Sequence, residues 1–234
     1  MSSSVFLTFN PDLQDISYTT ELEAKNVDDD LEVESMPLQS DWTVWEQLES
    51  NTNKDYTDST KPIYHFDSVM GFWRVWQALP QPSQLMRSHR MIRKNNDGED
   101  QLVDALMIFR DNIKPMWEDP VNSNGGHYEI RYQLAKDEES QARVDEHWNN
   151  LVLGMIGSSI EPAGMITGVR LVDKLHTARG AFLRIEIWFT EMENPDAKKV
   201  LRQSIEEIMT TRHDSTIDPY AFQWVVKKHS RTGK

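Results

Sequence analysis

Apolar residues recur with the spacing of an amphipathic helix in three segments of the chain. The first segment begins after Asp67, a predicted N-cap, and runs to about Leu79, where Pro80 would stop a helix. Its apolar positions form two neighbouring stripes, one of Phe72, Trp76 and Leu79 and the other of Val69 and Trp73. The apolar surface is therefore wider than a surface helix usually needs.

Two further helices follow the same spacing. One is predicted over roughly residues 140–156, with Val144, Trp148, Leu151 and Met155 in register. The other begins at Asn194 and Pro195, an N-cap residue followed by proline at the first helical position. Its apolar residues are Leu201, Ile205, Ile208 and Met209.

Strict alternation of apolar and polar residues predicts strands between these helices. It is seen from Tyr128 to Leu134, and again where Leu183, Ile185, Ile187 and Phe189 alternate with Phe182, Arg184, Glu186 and Trp188. Residues 168–175 are predicted to form the strand that precedes the segment from Phe182 to Phe189. Helices separated by strands and hairpins favour an α+β domain, with one antiparallel sheet covered on one side by helices.

Charge divides the chain into two unequal parts. Residues 1–60 hold 14 acidic residues against two lysines, whereas the remainder holds 24 acidic residues against 23 Lys and Arg. We interpret residues 1–36 as an acidic, disordered extension and residues 37–234 as the folded domain. Within the domain, residues 83–100 are polar and basic and are predicted to form a long flexible loop.

Several functional classes find no support in the sequence. There is no cysteine, so disulfides and thiolate metal sites are excluded. Neither a membrane-spanning run nor a signal peptide is recognisable. No hydrolase, nucleotide-loop or metalloprotease motif occurs, and the seven histidines show no ligand spacing. We therefore predict a protein that is neither an enzyme nor a cofactor or metal carrier.

A tryptophan followed at once by a carboxylate, Trp117–Glu118, is the most suggestive local feature. The chain has eight tryptophans, a density that usually indicates a large core and otherwise an aromatic ligand site. An indole beside a fixed acceptor is suited to a cationic purine, since it offers a stacking surface and a hydrogen-bond acceptor together. A tryptophan that merely covers an acidic turn is the alternative interpretation.

Matching segments occur in one order along nearly the whole non-acidic part of the chain. They are MPLQSDW (36–42) with Trp45, HFDSVMGFW (65–73), IKPMWED (113–119) with Gly125 and Gly126, HW (147–148) with GMIG (154–157), and IEIW (185–188) with Glu191 and Asn194. On these segments the chain resembles the eukaryotic translation initiation factor 4E family, which binds the 7-methylguanosine cap of messenger RNA. The resemblance implies a single curved antiparallel sheet, with the cap on its concave face and three helices on its convex back.

The resemblance also implies how the cap guanine would be held. N7-methylation gives guanine a positive charge, so an aromatic sandwich gains cation–π energy. Trp117 would be one side of the sandwich, and Tyr56 the other, where the family usually has tryptophan; an exposed loop tyrosine is the alternative for Tyr56. Glu118 would accept two hydrogen bonds from the guanine edge. Trp188 would line the N7-methyl side.

Basic residues are expected to meet the cap triphosphate. Arg184 shares a strand face with Trp188, and His127 lies where the family often has a basic residue. Lys174 and Arg179 are further candidates, and the length of their hairpin leaves open which one contributes.

The convex back is expected to bind a protein partner, a scaffold initiation factor of the 4G type or a 4E-binding inhibitory protein. The docking residues that the resemblance implies are Pro37, Val69, Trp73, Asn149, Asn150 and Leu153. Asn149 and Asn150 replace the usual apolar and acidic residues, which predicts a divergent partner motif.

The expected function is binding of capped mRNA in translation initiation or its regulation, in the cytoplasm and with the nucleus as a further compartment. One alternative is a paralogue with little or no cap affinity that serves as a protein-interaction module or repressor. A cap hydrolase is disfavoured, because no carboxylate cluster or metal-ligand spacing is present.

Overall fold

A computed structural model describes residues 7–8, 36–49, 59–87, 90–94, 98–176, 181–212 and 214–229. Its strands are β1 (Leu7–Thr8), β2 (Pro37–Leu48), β3 (Thr60–Ser68), β4 (Ile92–Lys94), β5 (Asp100–Arg110), β6 (Gly126–Gln133), β7 (Ile166–Lys174), β8 (Phe182–Phe189) and β9 (Val225–Lys228). Its helices are α1 (Val69–Trp76), α2 (Pro82–Met86), α3 (Glu138–Ile156) and α4 (Pro195–Thr210). Apart from β1 and Met36, the predicted acidic extension lies outside the described residues.

All described strands belong to one antiparallel sheet. The main path runs β3–β2–β5–β7–β8–β6–β9. The start of β5 also pairs with β4, which in turn pairs with β1. The sheet is therefore open, and the predicted α+β class with a single antiparallel sheet is confirmed.

Side-chain alternation gives the sheet two different faces. Leu183, Ile185 and Ile187 of β8 join the large core beneath the helices, together with apolar residues of every long strand. Trp188 instead joins a smaller cluster on the opposite face, which we call the second face. That cluster consists of Met107, Phe109, Ile113 and Trp188, with Trp45 packed against it. The period of two predicted for β8 is confirmed, and it separates the core from the second face.

The three predicted helices are present, with small shifts at their ends. In α1 the N-cap is Ser68 and not Asp67, because β3 continues to Ser68, whose hydroxyl accepts a hydrogen bond from Gly71 N (3.3 Å). Helix α3 is capped by Asp137, whose carboxylate accepts from Ser140 N at 2.8 Å. Helix α4 starts at Asn194 and Pro195 as predicted.

Residues 83–100 contain a helix and a strand where a long loop was predicted. Pro82 begins α2, and β4 pairs with the start of β5. Four apolar side chains of this segment are buried, namely Leu85, Met86, Met91 and Ile92. The prediction was wrong for these elements, because the few apolar residues are interspersed with basic ones and show no helix or strand period.

No helix within the described part of the chain is long and apolar enough to cross a membrane.

His147, in α3, is buried next to two polar partners. Its Nδ1 lies 3.0 Å from the Tyr132 hydroxyl and its Nε2 lies 3.3 Å from Asp218 Oδ2. Burial lowers the pKa of His147 to about 4, although the charge of Asp218 acts in the opposite direction. The folded protein therefore holds this ring neutral under conditions in which an unfolded chain would protonate it.

This difference in pKa predicts sensitivity to mild acid. Because the folded pKa is depressed, the contribution of His147 is fully present above its unfolded pKa of about 6.5. It is then lost as the pH falls toward 4, at up to about 1.4 kcal/mol per pH unit. Urea unfolding from pH 7 to pH 4 measures this loss, and the slope should be shallower in His147→Gln. An equal slope in both proteins would contradict the assignment.

Candidate functional site

The loop between β5 and β6 is fixed by two buried polar side chains. The carboxylate of Asp119 accepts hydrogen bonds from Lys114 N and Val121 N, both at 2.9 Å. The amide of Asn122 donates to the carbonyl oxygens of Lys114 (2.9 Å) and Met116 (3.1 Å). These bonds satisfy backbone groups that a loop would otherwise leave to water, and so they define its conformation.

Trp117 and Glu118 project from this fixed loop. The Trp117 side chain is 45% exposed and Glu118 is also exposed. An indole of this size is rarely left uncovered without a function, and here an acceptor stands beside it. The pair is available to an incoming ligand.

The loop joins the sheet through two glycines that tolerate no side chain. A Cβ on Gly125 would lie 1.9 Å from the carbonyl oxygen of Phe189, and one on Gly126 would lie 2.5 Å from that of Lys227. Strands β8 and β9 thus approach the base of the loop closely. This close approach brings the second face up to the Trp117 loop.

Trp188 is the aromatic centre of the second face, and only 1% of it is exposed. Its ring packs edge-on against Phe109, with centroids 5.3 Å apart, and is stacked with His127 at 5.7 Å. The ring of His229 lies 4.2 Å away, and the Arg170 guanidinium lies 5.7 Å from the ring centroid. Trp188 is therefore fixed in place before any ligand binds.

Glu186 holds two arginines and the Trp188 indole together. One carboxylate oxygen lies 2.8 Å from Arg170 Nη1 and accepts from Trp188 Nε1 at 3.1 Å. The other oxygen lies 2.8 Å from Arg184 Nη2. Burial alone would raise the pKa of Glu186, but the charges of Arg170 and Arg184 outweigh it and lower the pKa to about 2. The carboxylate is ionised throughout the physiological range.

A second buried carboxylate extends this network toward β9. Glu129 pairs with Arg131 at 2.5 Å and with Lys227 at 2.6 Å, and Arg184 lies 4.0 Å away. Four cations thus surround two carboxylates, so the second face carries an excess of positive charge. A phosphate chain suits this environment.

The predicted phosphate contacts lie in different settings. Arg184 is in the network just described, whereas Lys174 lies at the end of β7 and pairs with Asp104 at 3.4 Å. His127 is buried and burial lowers its pKa to about 4, so that at neutral pH it brings no charge. Tyr56 and Arg179 lie outside the described residues.

Arg170 was missed by the sequence reasoning. It lies on β7 opposite Glu186, and its Nη2 donates to Gln47 Oε1 at 2.6 Å. Its neighbours Val169 and Leu171 are buried in the main core, so alternation places Arg170 on the second face with Trp188. That pattern was available in the sequence and would have found it.

His127, Glu129 and Glu186 offer ligand atoms within 4.8 Å of one another, a spacing that could hold a metal ion. Both carboxylates, however, are already paired with arginine or lysine. A cation would compete with four positive side chains, so the chemistry favours an anionic ligand.

The other candidate surface lies on the helical side. Trp73 is 46% exposed, and Pro37 and Met70 are exposed near it, with Val69 and Leu153 half-buried. Phe72, Trp76 and Leu79 are buried, as predicted for the inward stripe.

Asn149 and Asn150 use their amides internally. Asn149 accepts from Trp76 Nε1 (3.1 Å) and donates to Gln81 Oε1 (2.9 Å) and to Asp145 O (2.8 Å). Asn150 donates to Thr211 O at 2.9 Å, beyond the end of α4. The hydrogen-bonding capacity of Asn149 in particular is committed to the fold, which leaves the exposed indole of Trp73 as the main feature of this surface.

Together these features define an α+β single-sheet domain with a candidate ligand site of aromatic, acidic and basic groups. The model of the family described as eukaryotic initiation factor 4E matches residues 37–234. The chain therefore belongs to the eukaryotic initiation factor 4E family.

Its relatives are translation initiation factors of moderate similarity. The chain is 25% identical over 181 residues to initiation factor 4E1 of Drosophila melanogaster, covering 77% of this chain and 60% of that protein. It is 27% identical over 203 residues to factor 4E-2 of Schizosaccharomyces pombe, covering 86% and 73%. With factor 4E-1 of Caenorhabditis elegans the identity is 31% over 153 residues, covering 65% and 61%. The chain thus spans about 60% of the length of the fly and nematode proteins.

Solved structures with the same fold include two nematode proteins. Caenorhabditis elegans eIF4E-3 in complex with the 4E-binding protein Mextli has a TM-score of 0.59 at 21% identity, covering 82% of this chain and 93% of that one. Ascaris suum eIF4E-3 with an m2,2,7G cap has a TM-score of 0.57 at 21% identity, covering 82% and 98%.

The Glu186 network yields a prediction about stability. Glu186→Gln leaves Arg170 and Arg184 without their shared counter-charge, although Arg184 keeps a second carboxylate at 4.0 Å, that of Glu129. We expect the free energy of unfolding to fall by about 3 kcal/mol, because removing one partner leaves buried charge uncompensated. Urea denaturation measures the change. The exposed Glu118→Gln serves as control and should shift stability by less than about 0.5 kcal/mol. Equal stability of the two variants would show that Glu186 is not holding the arginines.

Proposed function

We propose that this protein binds the 7-methylguanosine cap of messenger RNA. The observation that carries the proposal is the exposed Trp117–Glu118 pair on a fixed loop, next to a second face that is rich in arginine. Trp117 would stack on the methylated base, whose positive charge strengthens the contact. Glu118 would accept from the two donors of the guanine edge, a charge-assisted match that unmethylated or different bases meet less well.

The triphosphate would run from the base toward the cationic network. Arg184 and Arg170 are the nearest strong candidates, and Lys174 with Arg179 would extend the basic track. Trp188 remains the proposed residue for the N7-methyl side; its ring is 1% exposed and covered by His229, so it would reach the methyl group only if that ring moved aside. His127 would act as its neighbour rather than as a charged contact. Tyr56 remains the proposed second side of the sandwich.

A specific observation also favours a weaker-binding alternative. Glu186 already occupies the guanidinium groups of Arg170 and Arg184, so phosphates must share these donors with a buried carboxylate. A protein with low cap affinity would then act chiefly through its protein partners, as an interaction module or translational repressor.

The helical surface around Trp73 would bind the partner. By family resemblance that partner is a 4G-type scaffold or a 4E-binding inhibitory protein, presenting a helix with a Tyr-x4-Leu-apolar motif. An exposed indole flanked by apolar residues is a suitable anchor for an amphipathic helix. Val69, Pro37 and Leu153 would line the contact, and Asn149 and Asn150 would shape it. The site of action would be capped mRNA in the cytoplasm, with the nucleus as a further compartment.

Removing the Glu118 carboxylate tests the recognition of guanine. Glu118→Gln should weaken binding of 7-methyl-GTP by about 2 kcal/mol, because a charged acceptor is lost and one guanine donor is left facing an amide N–H. Calorimetric titration measures the affinity, with unmethylated GTP as the ligand control. Glu138→Gln, an exposed acid on α3, is the matched variant and should bind as wild type. Wild-type protein that binds 7-methyl-GTP no better than GTP would overturn cap recognition.

Substituting two tryptophans of nearly equal exposure tests the two proposed surfaces independently. Trp73→Ala should abolish binding of a Tyr-x4-Leu-apolar peptide helix and leave 7-methyl-GTP binding intact. Trp117→Ala should do the reverse, because it removes the stacking surface. Fluorescence anisotropy with labelled peptide and labelled cap analogue measures both. If Trp73→Ala lost both activities and also melted at a lower temperature, Trp73 would be a structural residue and the docking surface would be misplaced.

A further inference from the structure

His229 lies between the two tryptophans of the proposed cap site. It directly follows β9, and only 1% of it is exposed. Its ring is nearly parallel to that of Trp117, with centroids 5.8 Å apart and an interplanar angle of 16°. On the other side it contacts Trp188, with centroids 4.2 Å apart. Trp117 and Trp188 are thus connected through one imidazole.

The hydrogen bonds of His229 fix its orientation and tautomer. Nδ1 lies 3.0 Å from the carbonyl oxygen of Asn122, which can only accept, so Nδ1 carries the proton. Nε2 lies 3.0 Å from Nδ1 of His127. Burial lowers the pKa of both rings, to about 4 for His127, so both are neutral at pH 7. His127 must then donate to His229, and the two rings form a short directed chain that ends on the Trp117 loop.

The backbone of His229 is tied to the same loop. Its amide donates to Gly125 O at 3.0 Å, while its ring is bonded to Asn122 O. The imidazole therefore occupies the inner side of the loop, between the loop and the sheet. Because Trp117 is still 45% exposed, His229 covers only part of the indole and leaves the remainder to a ligand.

From this arrangement we propose that His229 is a positioning residue for the cap-stacking tryptophan. The imidazole backs Trp117, sets the plane of the indole and couples it to the buried Trp188, so that the base-stacking surface is part of one rigid aromatic unit. The proposal rests on the cap-binding function proposed above and adds the C-terminal strand to that site. Preorganised stacking surfaces lower the entropic cost of binding, which is the expected gain.

Three variants of the full chain distinguish the contribution of the His229 ring from that of its hydrogen bonds. His229→Ala removes both, His229→Phe keeps a stacking ring, and His229→Gln keeps polar atoms without a ring. Lys228→Ala is the matched control, because the neighbouring Lys228 pairs instead with the exposed Glu193.

Affinity for 7-methyl-GTP is the first measurement. We expect His229→Ala and His229→Gln to bind about tenfold more weakly than wild type, as loss of an aromatic pair implies. His229→Phe should recover most of the affinity while melting at a lower temperature, since Asn122 O and His127 Nδ1 lose their partner. Lys228→Ala should bind as wild type. Wild-type affinity in His229→Ala would overturn the proposal, and tighter binding would show that the ring blocks the site.

A ligand-free measurement distinguishes failure of this inference from failure of the proposed function. The heteronuclear NOE of the Trp117 indole N–H in ¹⁵N-labelled protein reports how rigidly that ring is held. It should fall in His229→Ala and stay high in His229→Phe. An unchanged NOE in His229→Ala would overturn the positioning role whether or not the wild-type protein binds 7-methyl-GTP.

Discussion

The ionised carboxylate of Glu186 is the interaction on which the second face depends. Arg170 and Arg184 both contact this largely buried carboxylate, and without the shared counter-charge they would repel each other, the more strongly because solvent is partly excluded. The same carboxylate accepts the indole N–H of Trp188, which would otherwise be a buried donor without a partner. A single acid on one strand thereby assembles the aromatic and basic parts of the site into one unit.

This arrangement affects the binding of an anionic ligand in two opposite ways. Glu186 binds Arg170 through one oxygen and Arg184 through the other, much as two oxygens of a phosphate would. The arginines are therefore held in place in advance, at the cost of part of their positive charge. Which of these two effects dominates would set the affinity of the proposed cap site, and it separates the main proposal from the weaker-binding alternative.

The sequence was informative where side chains obey a regular period. Alternation in β8 placed Arg184 and Trp188 on one face and the core residues on the other, and the same rule applied to β7 would have found Arg170. It could not predict β9, whose residues are all exposed and show no alternation, because that strand is defined by pairing with the edge of β6. The role proposed for His229 depends on that pairing, and no local pattern in the sequence marks it. Helix α2 and strand β4 were missed because their few buried residues are scattered among basic ones.

Asn149 lies on the proposed docking surface, yet its side chain is part of the hydrogen-bond network of the fold. Its amide accepts from Trp76 and donates to Gln81 and to the backbone of α3. Replacing Asn149 with an apolar residue would remove the hydrogen-bond acceptor of the Trp76 indole N–H and one donor to the side-chain oxygen Oε1 of Gln81. Positions 76, 81 and 149 are therefore expected to change together during divergence. An apolar residue at 149 without accompanying changes at 76 and 81 would therefore lower the stability of the fold.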